Sequence, residues 1–317
     1  MHAWRFDAIG TRWEVETSAP LGEGDRTRIS SIVAAFDETW SRFRDDSIVS
    51  SLRSGGETAT LDRDAAADAH AMLGAYRELA DATDGAVNPL IGTGLESLGY
   101  DASLTLQPGS PRPAPGDWQR LLSLDADAIG LSAPAVIDVG AVGKGRLVDL
   151  ICDALAHLPG RVTVDGSGDL RVRGGAARVA LEHPYDPTSA IGVVEVADAA
   201  LCASGITRRS WGDGLHHVLD GRTGLPVRTW AATWALADDA MHADAAATGL
   251  FFDGGAALAD RWGVEWVRMS TDGRVERSEG FPGELFTVSA SSSSAVGIGK
   301  EAPQSRLRRQ AAENTEE

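Results

Sequence analysis

Residues 161–202 read RVTVDGSGDLRVRGGAARVALEHPYDPTSAIGVVEVADAALC. Five short runs in this stretch (161–164, 170–172, 178–182, 192–196 and 200–202) carry Val, Leu and Ile. Gly, Asp and Pro separate them and mark turns. Parallel neighbours need a crossover of about a dozen or more residues, usually a helix, and most of these gaps are too short to hold one. Strands in series therefore favour an α+β fold over a doubly wound sheet.

Outward from this core, 6–17 has strand character on either side of Gly10. A strand is expected at 230–236, and 264–269 with 274–276 flank a Thr271-Asp272-Gly273 hairpin turn. Ile29, Ile32, Val33, Phe36 and Trp40 fall on one helical stripe. The Ala-rich 64–83 segment turns Ala69, Met72, Leu73, Tyr76 and Leu79 or Ala80 inward and closes at Gly85. Helices are also expected at 144–157 and 239–252, and a short strand at 136–139. The proline-rich 107–117 stretch reads as a surface loop. From Ser289 the chain is Ser-, Ala- and charge-rich, so a folded domain over 1–288 and a disordered tail over 289–317 are expected.

The chain has 317 residues, 43% apolar and 24% charged, which fits a globular protein of one large or two interlocked domains. No run approaches the ~18 apolar residues of a membrane span, and no secretory leader is visible at the start. Cys152 and Cys202 make neither a disulfide framework nor a zinc site. A cytoplasmic protein is the simplest reading. The net charge of −17, from 46 acidic and 29 basic residues, argues against nucleic acid and anionic membranes as partners. An anionic ligand would need local positive charge. Only two of the 29 basic residues are lysines, Lys144 and Lys300, and Lys300 falls in the tail. Lys144 therefore stands alone, and an ammonium does not replace a guanidinium.

Three segments can carry chemistry. In IDVGAVGKGRLVDL (137–150) a strand meets a glycine-rich turn and a helix start, whose free N–H groups can hold phosphate oxygens; an unliganded tight turn is the plain alternative. The P-loop pattern fails here for want of a Ser or Thr after Lys144. In AMHADAAATGLFF (240–252), Asp244 and Thr248 share one helix face. One carboxylate and one hydroxyl are too few for calcium but suit Mg²⁺, which keeps waters and takes further ligands from phosphates; a simple Asp–Thr contact would look the same. In LHHVLDGRTGLPV (215–227), adjacent histidines on a strand face opposite ways, so at most one serves a given site. A lone histidine is more often structural.

Together these segments resemble the ApbE-type flavin transferases, FAD:protein FMN transferases, over about residues 6–283. Ile9-Gly10-Thr11 is similar to the family's Met-Gly-Thr, and FDETWSRFRDDSIVSSL (36–52), containing Phe43, to its Asp-x-x-x-Ser-x-Phe/Tyr segment. DGAVNPL (84–90) resembles its Gly-Ala-Phe-Asp-Pro loop; LEHP (181–184) and Ala203-Ser204-Gly205 match two further motifs. Asn88 replaces an acid, Gly221 a proline, Ser167-Gly168 a Gly-Gly pair and Ile9 a methionine.

The resemblance implies mixed or antiparallel sheets with packed helices, in two interlocked lobes with the FAD site between them. It implies FAD contacts at Ile9, Phe43, Ala86, Val87, Asn88, Asp138, Lys144 and Ser204. It places Mg²⁺ on Asp244, Thr248 and the Ala141 carbonyl, and a base at His217. The reaction implied moves FMN from FAD to a Thr or Ser hydroxyl of an acceptor protein and releases AMP. A Mg²⁺-dependent FAD pyrophosphatase and a non-catalytic FAD-binding protein are the alternatives.

Overall fold

The computed structural model describes residues 1–286; the expected tail lies outside them. Eight strands form the central sheet, in the spatial order His2–Ala8, Thr11–Thr17, Val162–Asp165, Asp169–Arg173, Ala200–Gly205, Trp230–Ala237, Glu265–Ser270 and Val275–Arg277. Every pairing among the described strands is antiparallel. The N-terminal hairpin pairs with Val162–Asp165, so the two halves of the chain interlock within one sheet.

Side-chain alternation assigns the two faces. Ala200, Cys202, Ala235 and Ala237 join one large core with the helices, while Leu201, Ala232 and Trp234 join a second cluster on the opposite face. The second cluster is covered by the strands Ala176–His183 and Asp186–Ala197, which leave the main sheet after Asp169–Arg173 and return before Ala200–Gly205. The large core runs from Ala8 to Trp266 and holds the helices Glu23–Trp40, Arg63–Ala82, Gly143–Ala154 and Ala240–Gly249.

Local signals explain the helices that position the site. Asp62 caps Arg63–Ala82 by accepting from the Ala65 N–H at 2.8 Å. Gly85, at φ +78°, ends it with its N–H on the Ala80 carbonyl. Ala240–Gly249 is small and apolar nearly all round, which is the pattern of a helix enclosed on every side.

The structure corrects four expectations. Residues 136–139 form no strand, because the Val136 N–H goes to Thr93 Oγ1 (3.1 Å) and the Asp138 N–H to the Pro89 carbonyl (2.8 Å), leaving no ladder. The third helix ends at Ala154 and the fourth at Gly249. The proline-rich loop is partly inside: Ala114 is buried and its N–H bonds the Gly221 carbonyl. Finally, a small sheet of Glu57–Thr60, Ala128–Leu131 and Leu122–Asp125 forms where no strand was read.

Candidate functional site

The site begins at a close crossing of two helices. A Cβ on Gly145 would stand 2.1 Å from the Ala240 carbonyl oxygen and 2.8 Å from Asp244 Cβ, so only glycine fits there. One turn further along the same face, the buried Asp149 accepts from the Ala240 and Met241 N–H groups (both 2.9 Å) and from Arg171 (2.9 Å). Asp149 thus caps the start of the helix that carries Asp244. Asp244 closes the crossing from the other side, accepting the Gly145 N–H at Oδ2 (3.0 Å).

Gly145 is the third residue of the helix Gly143–Ala154, so its N–H is one of the helix-start amides with no partner inside the helix. Asp244 supplies the partner for that amide, and among the described residues no backbone donor takes the Ala141 oxygen, which precedes the helix. The turn is fixed by Tyr76, fully enclosed, whose hydroxyl donates to the Asp138 carbonyl (2.8 Å) and accepts the Ala141 N–H (3.3 Å). Burial, with Asp138 nearby, holds the Tyr76 phenol well above its ordinary pKa, so it stays a neutral donor.

Lys144 and Asp244 converge: Nζ lies 3.8 Å from Asp244 Oδ1. Asp244 is buried, which pushes its carboxyl upward, opposed by the Lys144 charge and the Gly145 N–H. Thr248 is half-buried on the same helix face, and its hydroxyl has no hydrogen bond among the described residues. The donor set of one carboxylate oxygen, one free carbonyl and one free hydroxyl fits a hard cation that retains water. Among the described residues no group of three or more His, Cys, Asp or Glu side chains is placed to hold a metal ion, so the donors are hard oxygens rather than thiolates or imidazoles.

The expected phosphate-holding amides are largely spent. Gly140 N–H bonds Asp138 Oδ1 (2.7 Å), Val142 and Gly143 bond the Val139 carbonyl, and Gly145 bonds Asp244. Positive charge at this spot therefore rests on the Lys144 ammonium rather than on the helix start. Asp138 is also engaged: its Oδ2 takes Arg42 Nε at 2.6 Å. Arg42, nearly enclosed, lies over the Phe43 ring at 4.1 Å, and Phe43 meets Tyr100 edge-on at 5.6 Å. Tyr100 stacks on Trp211 at 5.3 Å.

The two histidines do separate. His216 has both ring nitrogens engaged, with the Val227 carbonyl (2.8 Å) and the Val218 N–H (3.3 Å), and is structural. His217 Nδ1 is buried without a partner. Burial, then the charges of Arg209, His216 and Lys144, hold its imidazole well below pKa 6.5, so it is neutral at pH 7 and able to accept a proton. Lys144 acts on both His217 and Asp244, and so does Arg209.

The remaining sequence-derived positions differ in how they are presented. Ala86, Val87 and Asn88 are buried, and the Asn88 side chain is consumed by the Pro115 carbonyl (2.8 Å) and the Leu90 N–H (2.9 Å). This loop joins the Asp138 turn through Pro89 and the histidine hairpin through Gly221, whose N–H bonds the Ala86 carbonyl. Ile9, at φ +43°, sits in the N-terminal hairpin turn. That hairpin meets the 166–168 turn, where Ser167 Oγ donates to the Arg12 carbonyl (2.7 Å) and Gly166 packs on Trp13. Ser204 is half-buried on its strand opposite Thr233. The sequence marks Tyr76 only as an inward core position and gives Asp169, Asp149 and Arg209 no role. For Asp169 there was a signal: in the strand Asp169–Arg173, positions 170 and 172 face one cluster, which leaves an acid aimed at the helices.

A model of the ApbE family matches residues 9–267. A curated relative, the FAD:protein FMN transferase of Rhodobacter capsulatus, is 27% identical, with 89% of this chain aligned to 60% of that protein. The chain thus spans about three fifths of that relative's length. Among solved structures, the ApbE protein of Thermotoga maritima matches with a TM-score of 0.75 at 22% identity, over 88% of this chain and 97% of that one. The apo flavinyl transferase ApbE of Pseudomonas stutzeri matches at 0.70 and 22%, over 88% and 94%. These likenesses show that the fold is shared.

Proposed function

Given that the chain belongs to the ApbE family, we propose that it is a Mg²⁺-dependent transferase that moves FMN from FAD to a Thr or Ser hydroxyl of an acceptor protein, with AMP leaving. The observation that carries this reading is the convergence of the Lys144 ammonium and the Asp244 carboxylate, 3.8 Å apart, at a helix start preceded by the unbonded Ala141 carbonyl.

Phosphoryl-type transfer is mainly positioning and charge stabilisation. Asp244, Thr248 and the Ala141 carbonyl would hold Mg²⁺, which when bound stabilises charge on the phosphate oxygens. Lys144 supplies a second, fixed positive charge toward the diphosphate. His217, neutral and desolvated, takes the proton of the acceptor hydroxyl as its oxygen bonds to the flavin-side phosphorus. The bond from that phosphorus to the bridging oxygen breaks, and AMP carries that oxygen away. A positioned base contributes about 10²–10⁴-fold. The exposed Phe43 ring, backed by the buried Arg42 and by Tyr100, offers an aromatic face of the kind a flavin ring stacks on.

Incubation with FAD, Mg²⁺ and a panel of flavoprotein acceptors tests the reading by mass spectrometry. An acceptor heavier by one FMN supports it. AMP and free FMN with no labelled acceptor would make the protein a pyrophosphatase, and bound FAD with no AMP a binding protein.

A further inference from the structure

Asp169 is fully buried and faces the helices from the start of its strand. Its Oδ2 contacts Lys144 Nζ directly, whereas Asp244 Oδ1 stands 3.8 Å from the same nitrogen. The ammonium thus lies between two buried carboxylates and touches one. Asp165, a third acid nearby, is turned to the Gly168 N–H (2.9 Å). The backbone holds Asp169 in place: its carbonyl accepts the Gly166 N–H at 2.8 Å, it pairs in register with Cys202, and the next link is the Ala203 N–H to the Gly168 carbonyl. Lysine has a flexible four-carbon stem, so the anchored acid decides where the ammonium rests.

We propose that Asp169 is a positioning residue that tethers Lys144 away from Asp244, keeping an Asp244 oxygen open to a divalent cation. A contact pair between Lys144 and Asp244 would neutralise that carboxylate and set a like charge where the cation must sit. With Asp169 as partner, Lys144 keeps its charge at the site without occupying the cation's ligand. The second Asp169 oxygen, buried with no partner, leaves this acid able to accept a further donor once the site is filled. The inference rests on the cation reading of Asp244 given above.

Calorimetric titration with Mn²⁺, without FAD or acceptor, tests it on the full chain. Asp169→Asn frees the ammonium to move onto Asp244, and Mn²⁺ affinity is expected to fall at least about tenfold. Removing the ammonium as well, in Asp169→Asn with Lys144→Met, is expected to restore binding to within about threefold of Lys144→Met alone. A merely structural Asp169 would give no such rescue. Lys144→Met by itself, which is independent of whether Asp169→Asn folds, is expected to bind Mn²⁺ at least as tightly as the wild type. Weaker binding by Lys144→Met, unchanged binding by Asp169→Asn, or a double variant as weak as Asp169→Asn each overturns the proposal alone. A wild type that binds no Mn²⁺ overturns the cation reading and this inference with it.

Discussion

Gly145→Ala is the sharpest perturbation of the crossing that builds the site. In a helix interior this substitution ordinarily gains about 0.5–1 kcal/mol, because alanine loses less backbone entropy than glycine. Here the new Cβ would meet the Ala240 carbonyl oxygen at 2.1 Å. That oxygen is backbone, in a helix start pinned by Asp149, so no side-chain rotation relieves the clash. Overpacking costs about 1–3 kcal/mol, and the separation of the helices also strains the Gly145 N–H bond to a charged acceptor, a bond worth about 1.5–3 kcal/mol. The clash outweighs the propensity gain, and the net loss is expected at about 2–5 kcal/mol. At about 2–4 °C per kcal/mol, Tm should fall by about 4–20 °C. Gly74→Ala is the internal control: it is also helical but has nothing within 4 Å of its Cβ position, so it should gain about 0.5–1 kcal/mol. Thermal melts of the three proteins decide the matter. A Gly145→Ala protein as stable as the wild type, or more so, refutes the packing argument.

Asp149→Ala leaves the Ala240 and Met241 amides and Arg171 without their acceptor, so a loss of about 2–4 kcal/mol is expected in urea denaturation; a change under 0.5 kcal/mol would mean the cap is not needed. His217 has its pKa held well below 6.5 in the folded protein, so the unfolded chain binds more protons there. Its contribution to stability is full above pH 6.5 and is lost as pH falls from 6.5 toward the folded pKa. His217→Gln should flatten that acid limb, and an unaltered slope across the same window would count against the burial argument. The same depression places the acid limb of any His217-dependent rate below pH 6.5, which a pH–rate profile reads directly.

Local patterns carried much of this fold and little of the wiring inside the site. The helical stripe from Ile29 to Trp40, the Asp244–Thr248 spacing and the glycine-flanked Lys144 all sit within single elements, where period and punctuation show them. The links that assemble the site join distant residues: Lys144 to Asp169 across 25 positions, Tyr76 to Ala141 across 65, and Gly145 to Asp244 across 99. Tyr76 reads as an ordinary core position in its helix, and only the folded turn reveals what its hydroxyl holds. The 136–139 segment misled for the same reason: its apolar residues look like a strand, but its amides find a threonine and a proline carbonyl instead of a ladder. The helix start at Lys144 offered amides for an anion in sequence terms, and the fold uses most of them to fix its own turn.

In the proposed reaction a cation on Asp244 and the Lys144 ammonium act together on the diphosphate of FAD. AMP release from FAD, followed chromatographically with Mg²⁺ and with EDTA, tests it most directly. AMP is expected to appear with Mg²⁺ in step with flavin on the acceptor, and to drop by about 10²-fold or more in EDTA, in Asp244→Ala and in Lys144→Met. AMP formed equally well in EDTA, or undiminished in both variants, would contradict it.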